Sequence, residues 1–221
     1  MASTAKILNR RTAMTALGVA SLLAVSPAMA ADRKESKEKG AGEDVSATED
    51  MMREHGVLRR VLVIYAELPR LVRGSDAHID PKALNEAAKL FRDFGENYHE
   101  RMLEEDHVFP QLRKSGGENA KRVEILVRQH DRGREITRYI IDQTERGQLG
   151  DAQRLAQICQ SMARMYEPHT AWEDTLVFPA WKKLHSKSEL DEIAEQFEDI
   201  EHRTFGRDGF EDALRRVARV E

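Results

Sequence analysis

The 221-residue chain carries 35 lysines and arginines against 39 aspartates and glutamates, a net charge of −4, and 40% of its residues are hydrophobic. This balance is typical of a globular protein with a solvated surface, and it argues against nucleic acid as a partner. The single cysteine, Cys159, excludes an internal disulfide and a metal site built on several thiolates, so any metal must bind nitrogen and oxygen ligands.

The first 30 residues differ in composition from the rest of the chain. In the stretch "NRRTAMTALGVASLLAVSPAMA", the pair Arg10 and Arg11 precedes an apolar run that ends in an Ala-x-Ala pattern. This pattern predicts a signal peptide, residues 1–30, cleaved after Ala30. The paired arginines indicate twin-arginine export, with ordinary Sec export as the alternative. Because the run is short for a bilayer span, we expect a periplasmic or secreted protein without a stable membrane span after cleavage.

Residues 31–45 are charged, contain glycine and lack apolar periodicity, so they are predicted to form a disordered tether. From Ser46 onward, apolar residues recur every three or four positions, which is the pattern of amphipathic helices. The first helix is predicted over residues 48–73. The second begins after Asp80, a favourable N-cap followed by Pro81 in the first helical position, and it ends at the glycines of residues 116–117.

Two further long helices are predicted over residues 118–146 and 151–184, the last with Leu176 on its inward face. Four helices of similar length with short connections predict an antiparallel up-down-up-down four-helix bundle over residues 46–184. Residues 185–221 open with a Ser186 to Glu189 capping box and are predicted to add a C-terminal helix and a final segment. The expected fold class is therefore all-α, a four-helix bundle with an additional C-terminal helix.

Each predicted bundle helix carries one inward histidine: His55, His99, His130 and His169. At about 1.5 Å per residue, distances along the helices from their connections place His55 level with His99, and His130 level with His169. The second and third histidines differ by about one helical turn. Four imidazoles in one layer would be costly to bury without partners, whereas metal ions bind their lone pairs.

Two acidic residues complete the predicted site. His169 and Glu173 are four residues apart and share a helix face. His99 and Glu104 are five apart, which an α-helix separates by about 140°, so a local π-bulge is needed to bring both inward. Two carboxylates placed in this way can bridge two metals.

The ordered set "EH" at 54–55, "HERMLEEDHVFP" at 99–110, "QH" at 129–130 and "HTAWEDTLVFP" at 169–179 resembles the hemerythrin-like, or HHE cation-binding, domain. The resemblance covers about residues 46–184. It implies a non-haem centre of two iron ions bridged by Glu104 and Glu173, with the four histidines as terminal ligands. One motif of the family is His-x4-Asp, whereas this chain has Glu at that spacing, which leaves Glu105 or Glu100 as alternatives to Glu104.

One departure from the family bears on function. Oxygen-carrying members have a second histidine one turn away on the third helix, where this chain has Leu126 and Arg134. The expected irons are therefore under-coordinated and open to water, oxygen species or nitric oxide. His107 and His202 are possible fifth imidazoles, although both are expected at the surface. The tyrosines are expected in the core or behind the ligands, with coordination by Tyr98 or Tyr166 as the alternative.

We expect a protein that reversibly binds or senses a small diatomic ligand, dioxygen or nitric oxide; the sequence does not identify an electron donor. The first alternative is a di-iron enzyme or repair protein that reduces nitric oxide or peroxide, or donates iron to damaged iron centres. The second is a mononuclear or structural site such as zinc, although six inward ligands exceed what a tetrahedral zinc needs.

Two helix-interior glycines predict where a ligand enters. Gly95 lies one turn before His99, and Gly133 lies about one turn after His130, on the same helix faces as those histidines. One interpretation is a small pocket above the metals, left by the missing side chains. The other is close packing of the helices at that level.

Overall fold

The computed structural model describes residues 45–74 and 79–221, and within these ranges every regular element is helical. The all-α prediction is therefore confirmed. The predicted signal peptide lies outside the described residues, as does the predicted tether except for Val45. The helices are α1 (Ala47–Arg73), α2 (Pro81–Leu90, Phe91–Val108 and Phe109–Ser115 without a break), α3 (Gly117–Thr144), α4 (Ala152–Trp172, Glu173–Val177 and Phe178–Lys182 without a break), α5 (Lys187–Phe205) and α6 (Gly209–Val220).

Short polar side chains mark the starts of four helices. Each accepts a hydrogen bond from a backbone N–H group that has no partner inside its helix. These N-caps are Ser46 of α1, Asp80 of α2, Asp151 of α4 and Ser186 of α5. Ser186 and Glu189 bond reciprocally, so the predicted capping box is confirmed. The local sequence therefore determines where these helices begin.

Consecutive glycines join α2 to α3. Gly116 and Gly117 have φ values of 73° and 70°, a left-handed conformation that glycine adopts without the steric cost of a Cβ atom. The chain reverses within these two residues and brings Arg113 of α2 within 2.7 Å of Glu124 of α3. The turn thereby sets α3 directly beside α2.

Both α2 and α4 contain π-helical segments, Phe91–Val108 and Glu173–Val177. The Phe109 N–H donates to the Glu104 carbonyl, five residues earlier. The sequence predicted a local bulge near His99, whereas the π-helix of α2 extends over 18 residues. Because each i→i+5 turn holds more residues than an α-turn, side chains five apart align, and this brings His99 and Glu104 to one face.

The π segment of α4 corrects one sequence prediction. Leu176 is 40% exposed, so the prediction that it faces inward is wrong. Val177 and Phe178 are fully buried in its place. The extra residue in the turn that begins at Glu173 moves the buried face one position later along the helix.

The C-terminal segment packs against α2 and α4 through aromatic side chains. Phe205 of α5 lies with its ring centre 5.9 Å from that of Phe94 and 5.2 Å from that of Tyr98, both on α2. Phe197 stacks on Trp181 of α4 at 6.2 Å. The segment after residue 185 is thus part of the same core. Across the ranges that the structure describes, no helix combines the length and apolar character needed to cross a membrane.

Candidate metal centre

The structure brings the six predicted site residues together in the core. Each is at most 2% exposed, and the four long helices all contribute. These residues are His55 of α1, His99 and Glu104 of α2, His130 of α3, and His169 and Glu173 of α4. The centre therefore depends on the packing of all four helices and not on one local motif.

The histidines form two pairs. The Nε2 atoms of His55 and His99 are 2.9 Å apart, and those of His130 and His169 are 3.1 Å apart. At each histidine, the other ring nitrogen, Nδ1, is bonded to a side-chain oxygen outside the cluster. If Nδ1 carries the proton, two lone pairs face each other within each pair, which is unfavourable unless a cation lies between or beside them.

The two carboxylates lie between the histidine pairs. Glu104 places Oε1 3.5 Å from His99 Nε2 and Oε2 3.4 Å from His130 Nε2. Glu173 places Oε2 3.4 Å from His55 Nε2 and Oε1 3.0 Å from His169 Nε2. Each carboxylate therefore reaches both pairs, which is the arrangement of a bridging ligand.

None of these four carboxylate oxygens has a hydrogen-bond donor, although all are buried. Buried carboxylates are normally hydrogen-bonded or paired with a cation, because an isolated buried charge is costly. The donor atoms form two compact groups, His55–His99–Glu104 and His130–His169–Glu173, each with its atoms within 4.8 Å of one another. The residues present therefore fit a pair of cations.

Four further side chains hold the imidazoles from outside, a role that the sequence did not predict for them. They are Asp174 on His55 (2.7 Å), Glu54 on His99 (2.5 Å), Glu105 on His130 (2.9 Å) and Gln129 on His169 (2.9 Å). Each directly precedes or follows a site residue in sequence but contacts the histidine of another helix. Neighbours on a helix point about 100° apart, so a residue beside a ligand faces the adjacent helix. Adjacency to a metal-site residue is the sequence signal by which these four side chains could have been found.

The electrostatics of the cluster favour positive charge at the imidazoles. Burial lowers the pKa of His130, but Glu100 and Glu105 outweigh it and raise the pKa to about 9. Burial likewise opposes a charge on His99, whose pKa is nevertheless raised well above its ordinary value by Glu104 and Glu54. Burial and the neighbouring Glu173 raise the pKa of Glu104. The cluster therefore attracts cations, whether protons or metal ions.

Glu100 and Glu105, the alternatives to Glu104, lie on the outer side of His130. Arg134 approaches both, with Nη2 2.6 Å from a Glu105 oxygen and 3.3 Å from a Glu100 oxygen. Its guanidinium already supplies the positive charge that this acidic pair requires. Glu104 is the carboxylate of α2 that lies between the histidine pairs.

The remaining candidates lie away from the centre. His107 packs its ring against Phe197 at 5.5 Å, and His202 is 3.8 Å from Glu198 at the surface. The Tyr98 hydroxyl donates to Glu54, and the Tyr166 hydroxyl donates to Glu100. These tyrosines thus bind carboxylates outside the six-residue cluster.

The predicted pocket above the metals is wrong. A Cβ atom at Gly133 would lie 2.2 Å from the hydroxyl of Tyr166, and one at Gly95 would lie 2.9 Å from the Leu58 side chain. Both glycines allow close packing, which is the other interpretation drawn from the sequence. The space that their missing side chains leave is filled from the neighbouring helices.

Substitution of Gly133 by Ala is expected to destabilise the protein by about 1–3 kcal/mol. The new methyl group would displace the buried Tyr166 ring and break its hydrogen bond to Glu100. Gly56 is the matched control, because it is exposed in α1 and nothing lies within 4 Å of its Cβ position. Replacing Gly56 by Ala should stabilise α1 by up to about 1 kcal/mol. Urea unfolding of both variants in chelator measures the difference, and equal effects would contradict the close packing.

Comparison with known proteins identifies a cation-binding family. A helical protein with four buried imidazoles and two buried carboxylates in one cluster is a candidate cation-binding protein. The hemerythrin HHE cation-binding domain matches residues 46–148, a range that includes three of the four histidines. Uncharacterized proteins of Mycobacterium tuberculosis and Mycobacterium bovis are 44% identical over 180 residues, which is 80% of this chain and 69% of each relative. No solved structure matches. Residues 46–148 of the chain therefore belong to the hemerythrin HHE cation-binding domain family.

Proposed function

We propose that the protein is a non-haem di-iron protein that binds a small diatomic ligand, dioxygen or nitric oxide. The observation that carries this proposal is the position of Glu104 and Glu173 between two histidine pairs. Ions bound at the two pairs would share both carboxylates. Iron bound there supplies open coordination positions and a change of oxidation state.

The donor set favours two iron ions over a single zinc. Four imidazole nitrogens and four carboxylate oxygens make eight donor atoms in the cluster. A tetrahedral zinc would bind four of these and leave buried carboxylate oxygens without partners. Each ion would have two histidine nitrogens and one oxygen from each of the two carboxylates, a nitrogen and oxygen set that suits iron and leaves coordination positions open for oxygen.

We also propose that α1 to α4 form the antiparallel up-down-up-down bundle that the sequence predicts. Contacts between α2 and α3 support this topology, because residues later in α2 meet residues earlier in α3. The contacts are Asn85 with Thr144, Glu105 with His130, and Arg113 with Glu124. Bundles of this kind hold di-iron centres on carboxylates and histidines that project from facing helices.

Burial of the centre supports a ligand of a few atoms. The six side chains are at most 2% exposed, and two surface pockets lie elsewhere, one beside Pro81 and Gly147 and one beside Val63 and Glu221. A diatomic molecule reaches such a centre through small fluctuations of the packing, whereas a larger substrate needs a preformed opening.

The proposed location is the periplasm or the exterior of the cell. It rests on the sequence pattern of residues 1–30, with Arg10 and Arg11 ahead of the apolar run and Ala30 at the cleavage position. A mature protein that begins at Ala31 would support this proposal. Retention of the first 30 residues would contradict it.

Absorption spectra and metal counts test the proposed function. The reduced, iron-loaded protein is expected to hold two irons per chain and to gain a new visible band when dioxygen or nitric oxide is added. A reversible binding protein loses the band when the gas is removed. A band that decays with continuous consumption of the added gas would instead indicate an enzyme, and no spectral change with either gas would contradict the proposal.

A further inference from the structure

The two histidine pairs differ in the charge of the side chains that hold them from outside. This difference bears on how the proposed di-iron centre takes up its ions, so the inference rests on the proposed function. His99 donates to a carboxylate, Glu54, at 2.5 Å, whereas His169 donates to a neutral amide, Gln129, at 2.9 Å. Glu54 and Gln129 occupy matching positions. Glu54 directly precedes His55 on α1, and Gln129 directly precedes His130 on α3.

Glu54 makes His99 a strong donor. Its side chain is 2% exposed, and its second oxygen accepts a hydrogen bond from the Tyr98 hydroxyl at 2.8 Å. An imidazole that donates its N–H to a carboxylate gains electron density at the other ring nitrogen and binds a metal ion more tightly. A neutral amide polarises the ring less, so His169 is the weaker donor.

The outer partners of the other two histidines are alike. Asp174 accepts from His55 and also pairs with Arg59, while Glu105 accepts from His130 and also pairs with Arg134. Both imidazoles therefore contact a carboxylate that is itself neutralised by an arginine. Asp174 and Glu105 should therefore affect the metal affinity of the two positions to a similar extent. The difference in affinity then depends mainly on Glu54 and Gln129.

The balance of nearby charge points in the same direction. Around the first pair, Glu54 and Asp174 are matched by a single arginine, Arg59. Around the second pair, Glu100 and Glu105 are matched by two arginines. These are Arg134, within 3.3 Å of both carboxylates, and Arg101, 2.9 Å from Glu105. Of these four carboxylates, Glu54 alone has no ion pair with an arginine, so the negative charge beside the first position is the less compensated.

We propose that the two metal positions are inequivalent, and that the His55–His99 position binds its ion first and more tightly than the His130–His169 position. Glu54 and Gln129 set this order as positioning residues, since neither contacts the metal itself. Outer partners of metal-bound histidines typically change metal affinity by about tenfold to hundredfold. The dissociation constants of the two metal-binding steps should therefore differ by at least about tenfold, and this ratio is called the gap below.

Stepwise titration of the metal-free protein with Fe²⁺ under anaerobic conditions, against a competing chelator, tests the order. In the wild type, two binding steps are expected. Glu54→Gln should weaken the first step by about tenfold or more, and Gln129→Glu should strengthen the second by a similar factor. Both variants then narrow the gap between the steps, from opposite directions.

Both substitutions keep the shape of the side chain. In Glu54→Gln, the amide oxygen can still accept from His99, and the Tyr98 hydroxyl can accept from the amide nitrogen. Glu96→Gln is the control, because Glu96 is a buried carboxylate of α2 that has no hydrogen bond to an imidazole. The gap in this control should equal that of the wild type.

A reversed order would widen the gap in both variants, because Glu54→Gln would then weaken the second step. That result would overturn the inference, as would equal shifts of both steps or a single shared affinity for two ions in the wild type. In all three cases the di-iron proposal would stand. Uptake of only one ion by the wild type would overturn the di-iron proposal, and this inference with it.

Discussion

In the proposed di-iron centre, replacement of Glu173 by Ala is expected to reduce the iron content from two ions per chain to one or none. Glu173 has oxygens 3.4 Å from His55 and 3.0 Å from His169, so its loss removes a ligand from both metal positions. It also leaves four closely spaced imidazoles with one carboxylate. Metal analysis after anaerobic reconstitution measures the loss.

Helix content should change little in this variant, because the apolar side chains of α4 remain. Circular dichroism checks this point. The matched control is Glu167→Ala, an exposed acid of the same helix, which should keep full iron content. An unaltered iron content in Glu173→Ala would remove Glu173 from the ligand set.

Removal of iron from the proposed centre by a chelator is expected to lower the melting temperature by about 8–16 °C. At free iron about 1,000 times its dissociation constant, binding to the folded state alone contributes about 4 kcal/mol. For a protein of this size, each kcal/mol shifts the melting temperature by about 2–4 °C. Without a cation, the four oxygens of Glu104 and Glu173 stay buried and unpaired. Differential scanning calorimetry with and without iron measures the shift.

The Glu173→Ala variant separates site-specific stabilisation from a general effect of iron. Its melting temperature should rise little or not at all when iron is added. A rise equal to that of the wild type would mean that iron stabilises the fold from another place. If the melting temperature of the wild type does not change when iron is added, the prediction that bound metal stabilises the core is wrong.

The helix boundaries could be predicted because they depend on local chemistry. Asp80 and Pro81 start α2, and Ser186 with Glu189 starts α5, since each satisfies backbone N–H groups within one turn. The glycines of residues 116–117 end α2 because they adopt positive φ values. None of these features requires knowledge of a distant residue.

Prediction from a regular helix period failed where the backbone departs from it. Leu176 is exposed because a π turn intervenes between it and the upstream face of α4. The same effect bears on the predicted heights of His99 and His130, whose distances along their helices from the connecting turn differ by about one helical turn when a regular α-helix is assumed. An i→i+5 helix holds more residues per turn and advances less per residue, so the long π segment of α2 shortens the axial distance between His99 and the turn at Gly116.

The sequence by itself determined the helical class and placed the four histidines and Glu173 on inward helix faces, because residue type and regular spacing define a helix face. The choice of Glu104 over Glu100 and Glu105 needed the π-helix of α2, which regular spacing does not encode. Only the tertiary structure decided what meets across helices. It showed that Tyr166 fills the space at Gly133, and that Glu54 contacts His99 and not its own neighbour His55. These contacts join residues tens of positions apart, and they depend on helix rotation and side-chain packing that no local pattern encodes.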